Sequence, residues 1–184
     1  AAFSAAYAEL LLGAVARYTV ACASGMRASG IPTNSAACCA ASATLRAITA
    51  AQVDSIAARV DYIDTEDAPA ALARAELVFE GVPEMMEAKR EAFAFACRHL
   101  HADTIVASTT STMLVTQLAS AVSHPERFLN AHWLNPAYLI PLVELSPHPG
   151  TQPAVVDRLK QLLERIGKVP VVCAAAPGYI VPRM

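Results

Sequence analysis

The chain has 184 residues, of which 55% are hydrophobic and 16% charged, with a formal net charge of −2. This length fits one domain with a single core over residues 1–184, and the high apolar fraction favours a heavily buried sheet. The 14 lysines and arginines are spread along the chain and form no basic stripe for a phosphate backbone, so nucleic acid is not an expected partner.

The first 53 residues or so are the atypical part of this domain. Residues 1–16 follow a helical pattern, but they carry Glu9 and are fewer than the roughly 20 apolar residues that a membrane span needs. We therefore expect a buried helix, no membrane span and, without a basic start, no secretory signal. Residues 18–22 are predicted as a short buried strand from their β-branched and aromatic content. The stretch 24–52 contains no acidic residue and is left unassigned.

From residue 49 onward the pattern alternates between helices and strands. Thr49 and Thr151 are good helix caps, and Gly167 suits the position just after a helix end. The predicted helices cover residues 49–60, 67–74, 84–99, 114–122 and 151–166, and the predicted strands cover 62–63, 77–79, 104–107, 128–133, 142–145 and 168–173. Such alternation implies parallel β-α-β units, hence an α/β fold with an open, doubly wound, Rossmann-like sheet.

Polar side chains at strand ends mark where chemistry is expected, because open α/β sheets bind ligands beyond the carboxyl ends of their strands. His132 is the one histidine at the end of a predicted strand, and Glu144 lies on the next strand, twelve residues later. If the connection folds back, the carboxylate accepts a hydrogen bond from one ring nitrogen and leaves the other to take a proton, as a general base requires. A hydrogen-bonded structural histidine is the commoner alternative.

Other polar groups have both a structural and a functional interpretation. The five hydroxyl side chains of residues 108–112 form either an ordinary capping loop or a set of donors for a substrate oxygen. Glu84 and Lys89 fit a solvated charged helix face. The five cysteines contain no CxxC pair and no metal-ligand spacing, which predicts no metal site and favours a reducing, cytoplasmic setting. The remaining histidines are expected at the surface: His99, His101, His124 and His148.

Four segments follow one another at these predicted strand ends. They are LVFEGVPE (77–84) with Lys89, ASTTS (107–111), HWLNP (132–136) with LVE (142–144), and APGYIV (176–181). In order and spacing these segments resemble the NAD-binding domain of the L-3-hydroxyacyl-CoA dehydrogenase family. The resemblance is specific, because four motifs must coincide in sequence.

The resemblance implies an NAD-dependent oxidoreductase of fatty acid β-oxidation that converts L-3-hydroxyacyl-CoA to 3-oxoacyl-CoA. By that resemblance His132 would be the general base, and Glu144 would orient its ring and balance its charge. Ser111 and Asn135 would hydrogen-bond the reacting oxygen or the acyl carbonyl. The stretch 133–138 looks most like the short-chain branch of the family, which suggests a substrate similar to 3-hydroxybutyryl-CoA.

On the cofactor side, the resemblance would place Glu84 and Lys89 near the nicotinamide ribose. None of the seven glycines forms the G-x-G-x-x-G turn of a Rossmann domain, and Ala23 and Ser24 stand where an acidic residue would hold the adenosine ribose. NAD rather than NADP is therefore implied by the family alone. The chain looks as if it lacks the first strand, the Gly-rich loop and the C-terminal helical domain that in this family completes the acyl-CoA pocket and the dimer. A homodimer is expected in a full-length form.

Two alternatives stay open. A sibling dehydrogenase of the carnitine or gulonate type would use the same His132 and Glu144 on a different alcohol, and substrate profiling would separate it. A non-catalytic truncated remnant would keep the motifs but bind no dinucleotide, and a stable protein without affinity for NADH would identify it.

Overall fold

A computed structural model describes residues 18–21, 60–135, 137, 140–176 and 179 of the chain. Its strands are β1 (Tyr18–Ala21), β2 (Val60–Ile63), β3 (Leu77–Glu80), β4 (Ile105–Ser108), β5 (Phe128–Trp133), β6 (Leu142–Pro147) and β7 (Val169–Val172). Its helices are α1 (Ala68–Leu72), α2 (Met86–Cys97), α3 (Val115–Leu118) and α4 (Pro153–Arg165), with 3-10 turns at Ala119–Ala121 and Pro125–Arg127. The helices predicted over residues 1–16 and from Thr49 lie outside the described residues.

The described strands form two sheets. β1 and β2 pair in parallel, and a second sheet has the order β3-β4-β5-β6-β7. Within it β3, β4 and β5 run parallel, β6 runs antiparallel to β5, and β7 runs parallel to β6. The expectation of parallel units throughout is therefore wrong between β5 and β6. Their connection, residues 134–141, is shorter than the dozen or more residues that a parallel crossover needs, so the chain returns antiparallel.

Helix α4 covers one face of the five-stranded sheet. Its residues Leu159 and Leu163 are fully buried and pack in one cluster with Leu129 of β5 and Leu145 of β6. Fully burying a leucine side chain contributes about 1.5–3 kcal/mol. The helix begins at Pro153, whose fixed φ suits a first turn. This packing holds β5 and β6 against the helix.

Helices α2 and α3 cover the opposite face. Phe93 of α2 packs edge to face on Phe128 of β5, with ring centroids 5.5 Å apart, and Leu118 of α3 joins the same buried cluster. Val106 of β4 points to this side, whereas its neighbour Ile105 points to the α4 side, as the period of two in a strand requires. Helices on both faces make the sheet doubly wound, as predicted.

At the ends of α4, the predicted N-terminal cap is wrong and the predicted C-terminal glycine is confirmed. The N-cap residue is Gln152 rather than Thr151. The Thr151 hydroxyl instead donates to the Phe128 carbonyl and accepts from the His148 backbone N–H, so it ties the loop to β5. Gly167 ends the helix with a φ of 79°, a left-handed conformation that glycine adopts without strain.

One histidine and two cysteines that were considered in the sequence are partly buried in the described part of the chain. His148 is half-buried, with its Nε2 atom 2.6 Å from the Pro125 carbonyl, so the surface assignment was wrong for this residue. Cys97 and Cys173 are half-buried. Over the described ranges, no helix is long and apolar enough to cross a membrane, and no group of three His, Cys, Asp or Glu residues is arranged to hold a metal ion.

Candidate active site

His132 and Glu144 face each other across the antiparallel pair of β5 and β6. The register puts the two residues directly opposite, so their side chains project from the same face of the sheet. The His132 Nδ1 atom lies 2.6 Å from the Glu144 Oε2 atom, and the two residues are 4% and 0% exposed. An ionised carboxylate only accepts hydrogen bonds, so the Nδ1 atom carries the proton and donates the hydrogen bond to Glu144. The Nε2 atom of the neutral ring then keeps its lone pair.

Ser111 lies at that second ring nitrogen. Its Oγ atom is 3.1 Å from His132 Nε2, and it belongs to the loop that follows β4. The hydroxyl donates to the neutral ring, which completes a chain from Ser111 through His132 to Glu144. Asn135 lies two residues beyond the end of β5 and is exposed, and within the described residues its side chain has no hydrogen-bond partner. The structure thus brings three of the four predicted catalytic and substrate-binding residues together.

Tyr179 covers the His132 ring and was missed as a site residue in the sequence. The two rings stack with centroids 5.1 Å apart and planes inclined by 25°. Tyr179 is 1% exposed, and its hydroxyl donates to the Met113 carbonyl over 2.8 Å. Burial, together with the negative charges of Glu84 and Glu144, raises the pKa of this phenol, so it stays a neutral donor. The only sequence signal was an aromatic residue just after the Ala-Pro-Gly segment (176–178).

Glu84 holds the hydroxyl-rich loop after β4. Its carboxylate accepts from the Thr110 hydroxyl at 2.6 Å, from the Ser111 backbone N–H at 2.8 Å and from the Thr112 hydroxyl at 3.2 Å. Partial burial raises the pKa of Glu84, but these hydrogen bonds and the charge of Lys89 outweigh burial, so the pKa is lowered overall. Glu84 itself is exposed at this edge of the sheet. The run of hydroxyl residues is therefore a fixed turn next to His132.

Lys89 is paired inside the protein rather than solvated. Its Nζ atom donates to both carboxylate oxygens of Glu80 at 2.8 and 3.0 Å, and it is 1% exposed. The Ser108 hydroxyl also donates to Glu80, at 2.6 Å. The interpretation of Lys89 as part of a solvated helix face was wrong. Glu80 was overlooked, although a carboxylate at the end of an apolar strand was a usable signal.

These groups converge at the carboxyl ends of neighbouring parallel strands, where an α/β sheet binds its ligand. Glu80 ends β3, Ser108 ends β4, and His132 is next to last in β5. The exposed Glu84 carboxylate fits sugar hydroxyls, which donate to it, so the described residues suit the nicotinamide end of a dinucleotide. The Lys89 ammonium fits less directly, because it is occupied by Glu80 and the Val82 carbonyl.

Comparison with known proteins assigns the family. A sequence model described as "3-hydroxyacyl-CoA dehydrogenase, NAD binding domain" matches residues 14–176. The chain belongs to this family. The expected oxidoreductase family, its Rossmann-like fold and NAD as its cofactor are thereby confirmed.

Individual relatives agree with this assignment. The chain is 36% identical over 121 residues to 5-formyl-3-hydroxy-2-methylpyridine 4-carboxylate 5-dehydrogenase of Mesorhizobium japonicum, covering 65% of this chain and 39% of the relative. It is 39% identical over 113 residues to 3-hydroxybutyryl-CoA dehydrogenase of Bradyrhizobium diazoefficiens, covering 61% and 39%. The crystal structure of 3-hydroxybutyryl-CoA dehydrogenase from Escherichia coli K12 superimposes with a TM-score of 0.85 at 28% identity, covering 98% and 38%. The chain thus spans about two fifths of the length of these proteins.

Proposed function

We propose that the chain is the catalytic part of an enzyme that oxidises L-3-hydroxyacyl-CoA to 3-oxoacyl-CoA with NAD. The observation that carries this proposal is the buried His132–Glu144 pair, whose second ring nitrogen faces the Ser111 hydroxyl at the carboxyl end of the sheet. When bound, NAD supplies the acceptor for the hydride that leaves the C3 carbon. The residues of this chain handle the proton and the oxygen.

His132 is the proposed general base. Its Nε2 lone pair takes the proton of the C3 hydroxyl, while Nδ1–H stays hydrogen-bonded to Glu144. The ring becomes positively charged, and the Glu144 carboxylate at 2.6 Å stabilises that charge in a site from which water is excluded. Before this transfer, Ser111 redirects its hydroxyl from Nε2 to the reacting oxygen, which frees the Nε2 lone pair and places the oxygen within reach of the base.

The remaining predicted site residues have supporting roles in this proposal. Glu84 accepts from the nicotinamide ribose on its exposed side and keeps Ser111 in place on the other. Lys89 acts through Glu80, whose carboxylate it holds at the end of β3. Asn135 donates to the acyl carbonyl from the loop after β5. We also propose that the full-length form is a homodimer and that it is located in the cytoplasm.

A short-chain substrate is proposed from the stretch 133–138 and from the relative named 3-hydroxybutyryl-CoA dehydrogenase. The relative named 5-formyl-3-hydroxy-2-methylpyridine 4-carboxylate 5-dehydrogenase favours a second candidate, oxidation of an aromatic substrate without coenzyme A. Initial rates with 3-hydroxybutyryl-CoA, a longer 3-hydroxyacyl-CoA and that pyridine aldehyde separate the candidates. A preference for the aldehyde would contradict the acyl-CoA proposal.

The base is tested with His132→Gln. We expect turnover to fall by about 10²–10⁴-fold, the usual contribution of a positioned base. His101→Gln is the matched control, because the His101 side chain is 69% exposed and lies at the opposite end of the sheet, before β4. Equal turnover in His132→Gln and His101→Gln would remove His132 from the mechanism.

Binding of NADH separates the enzyme from a non-catalytic remnant. We expect fluorescence titration to show saturable NADH binding by the chain joined to whatever residues precede and follow it naturally. His132→Gln should bind NADH as the parent does, because its loss concerns proton transfer. If both the parent and His132→Gln are stable but bind no NADH, the result would support a non-catalytic remnant.

A further inference from the structure

Lys168 is a buried cation that the proposed mechanism does not use. It follows Gly167, whose left-handed backbone ends α4, and it directly precedes β7. Its backbone N–H donates to the Leu163 carbonyl at 2.9 Å, so the turn at the helix end fixes where this side chain starts. Lys168 is 5% exposed, and a lysine this buried is rare unless its ammonium group has partners.

The Lys168 ammonium contacts the loop between β5 and β6 at several points. The Nζ atom donates to the Ala137 carbonyl and, over 3.0 Å, to the Ile140 carbonyl. It also lies 5.5 Å from the centroid of the Trp133 ring, within the range of a cation–π contact. An ammonium has three donors, and this arrangement uses two on carbonyls and directs positive charge at the ring.

These contacts lie on both sides of Asn135 in the sequence. Trp133 comes two residues before it and Ala137 two residues after it, and Lys168 touches both. Trp133 is 1% exposed and also packs edge to face on Phe79, so one end of the segment is anchored in the core. His132 directly precedes Trp133. One ammonium thus fixes the path of the chain from the proposed base to the proposed substrate-binding amide.

Burial alone does not explain a lysine here. A methionine of similar length would fill the same space at lower desolvation cost, but it would leave the Ala137 and Ile140 carbonyls without this donor. Burial lowers the pKa of the Lys168 ammonium, because loss of water disfavours the charged form. The hydrogen bonds of the ammonium group to the Ala137 and Ile140 carbonyls offset this cost.

We propose that Lys168 is a positioning residue that holds the 134–141 loop so that Asn135 meets the substrate bound at His132. The inference rests on the proposed function, because it assigns a purpose to the loop of that same site. Misplacing a binding group by about 1 Å can cost about 10²-fold in rate. Lys168 does not touch the substrate in this proposal.

The test compares Lys168→Met with Lys160→Met in the chain joined to whatever residues precede and follow it naturally. Lys160 is a matched control, because its side chain is 45% exposed and its ion pair with Glu164 is long, at 3.9 Å. For Lys168→Met we expect kcat/KM for 3-hydroxybutyryl-CoA to fall by about 10–100-fold, with the KM for NAD unchanged. A general loss of folding would lower the active fraction without this split between the two substrates.

A second readout does not depend on activity. The chain has one tryptophan, and it is Trp133. Removing the cation over its ring should shift the fluorescence emission maximum in Lys168→Met and leave it unchanged in Lys160→Met. Lys168→Gln, which keeps a donor but no charge, should show the emission shift with a smaller loss of kcat/KM. This variant takes the place of Lys168→Met if the latter fails to fold.

The possible results separate the two proposals. Wild-type kinetics in a folded Lys168→Met protein overturn the positioning role, whether or not the emission shifts. Equal loss of affinity for NAD and for the acyl-CoA also overturns it, because the effect would then be global. An inactive parent protein, with whatever residues precede and follow the chain naturally, refutes the proposed function instead, and the emission spectra then decide by themselves whether Lys168 holds the loop at Trp133.

Discussion

Replacing Glu144 with glutamine removes one charge from the centre of the proposed site and keeps the size of the side chain. The residue is fully buried and its Oε2 atom lies 2.6 Å from His132 Nδ1. The amide oxygen of glutamine still accepts from the neutral ring, so substrate binding should change little. The loss appears when the ring becomes positively charged, which happens as the hydroxyl proton is transferred.

The size of the effect follows from this geometry. With the charge centres about 4 Å apart and an effective dielectric constant of about 20, the carboxylate stabilises the charged ring by about 4 kcal/mol. Each 1.36 kcal/mol corresponds to a tenfold change in rate, so kcat should fall by about 10³-fold while KM stays nearly constant. Because His132 is 4% exposed, solvent screening reduces this value little.

Steady-state formation of NADH from 3-hydroxybutyryl-CoA measures the effect. Glu164→Gln is the control, because it makes the same chemical change on the surface of α4, where the Glu164 side chain is 51% exposed. Urea unfolding of both variants shows whether the fold is kept. A Glu144→Gln protein that is folded and turns over as fast as Glu164→Gln would refute the reasoning, since the ring would then not depend on the carboxylate charge.

Three further predictions concern the neighbouring groups. Ser111→Ala removes a donor to the reacting oxygen and should lower kcat by about 10²-fold with NADH binding unchanged, as stopped-flow kinetics and titration would show. Lys89→Met leaves the buried Glu80 carboxylate unpaired and should lower the free energy of unfolding in urea by about 3–5 kcal/mol; adding Glu80→Gln should recover part of the loss, and no recovery would contradict the pairing. The pKa of Glu84 is lowered from 4.5, so its ionised form stabilises the fold above that pH, and this contribution is lost as the pH falls through the folded pKa. The difference in unfolding free energy between wild type and Glu84→Gln should therefore shrink below pH 4.5, and a constant difference would count against the clamp.

Sequence patterns predicted the elements better than their directions. β5 begins and ends at the predicted residues, and β6 continues two residues beyond its predicted end, through Ser146 and Pro147. A strand is a local pattern of apolar and β-branched residues, whereas its direction depends on how the connection crosses the sheet. The connection of residues 134–141 had no helical pattern, and that was the available sign of an antiparallel return.

The site was predictable where a polar residue interrupts an apolar strand. His132 and Glu144 met this condition, and the register then brought them together. Lys89 was misread because a spacing along its own helix says nothing about Glu80 on the neighbouring strand. Tyr179 and Lys168 contact the site from distant parts of the chain, so no local periodicity could assign them.

The energetics of the buried groups bear on the choice between an enzyme and a remnant. Taking Glu144, His132, Glu80 and Lys89 out of water costs free energy, and well-packed apolar residues of similar volume are often as stabilising as a buried ion pair. A protein that only needed to fold would gain little from two such pairs at one end of its sheet. A base must have a lone pair facing outward and a fixed charge behind it, and His132 has both. The arrangement therefore supports catalysis as the reason for these residues, and the NADH titration and the Glu144→Gln kinetics test that inference independently.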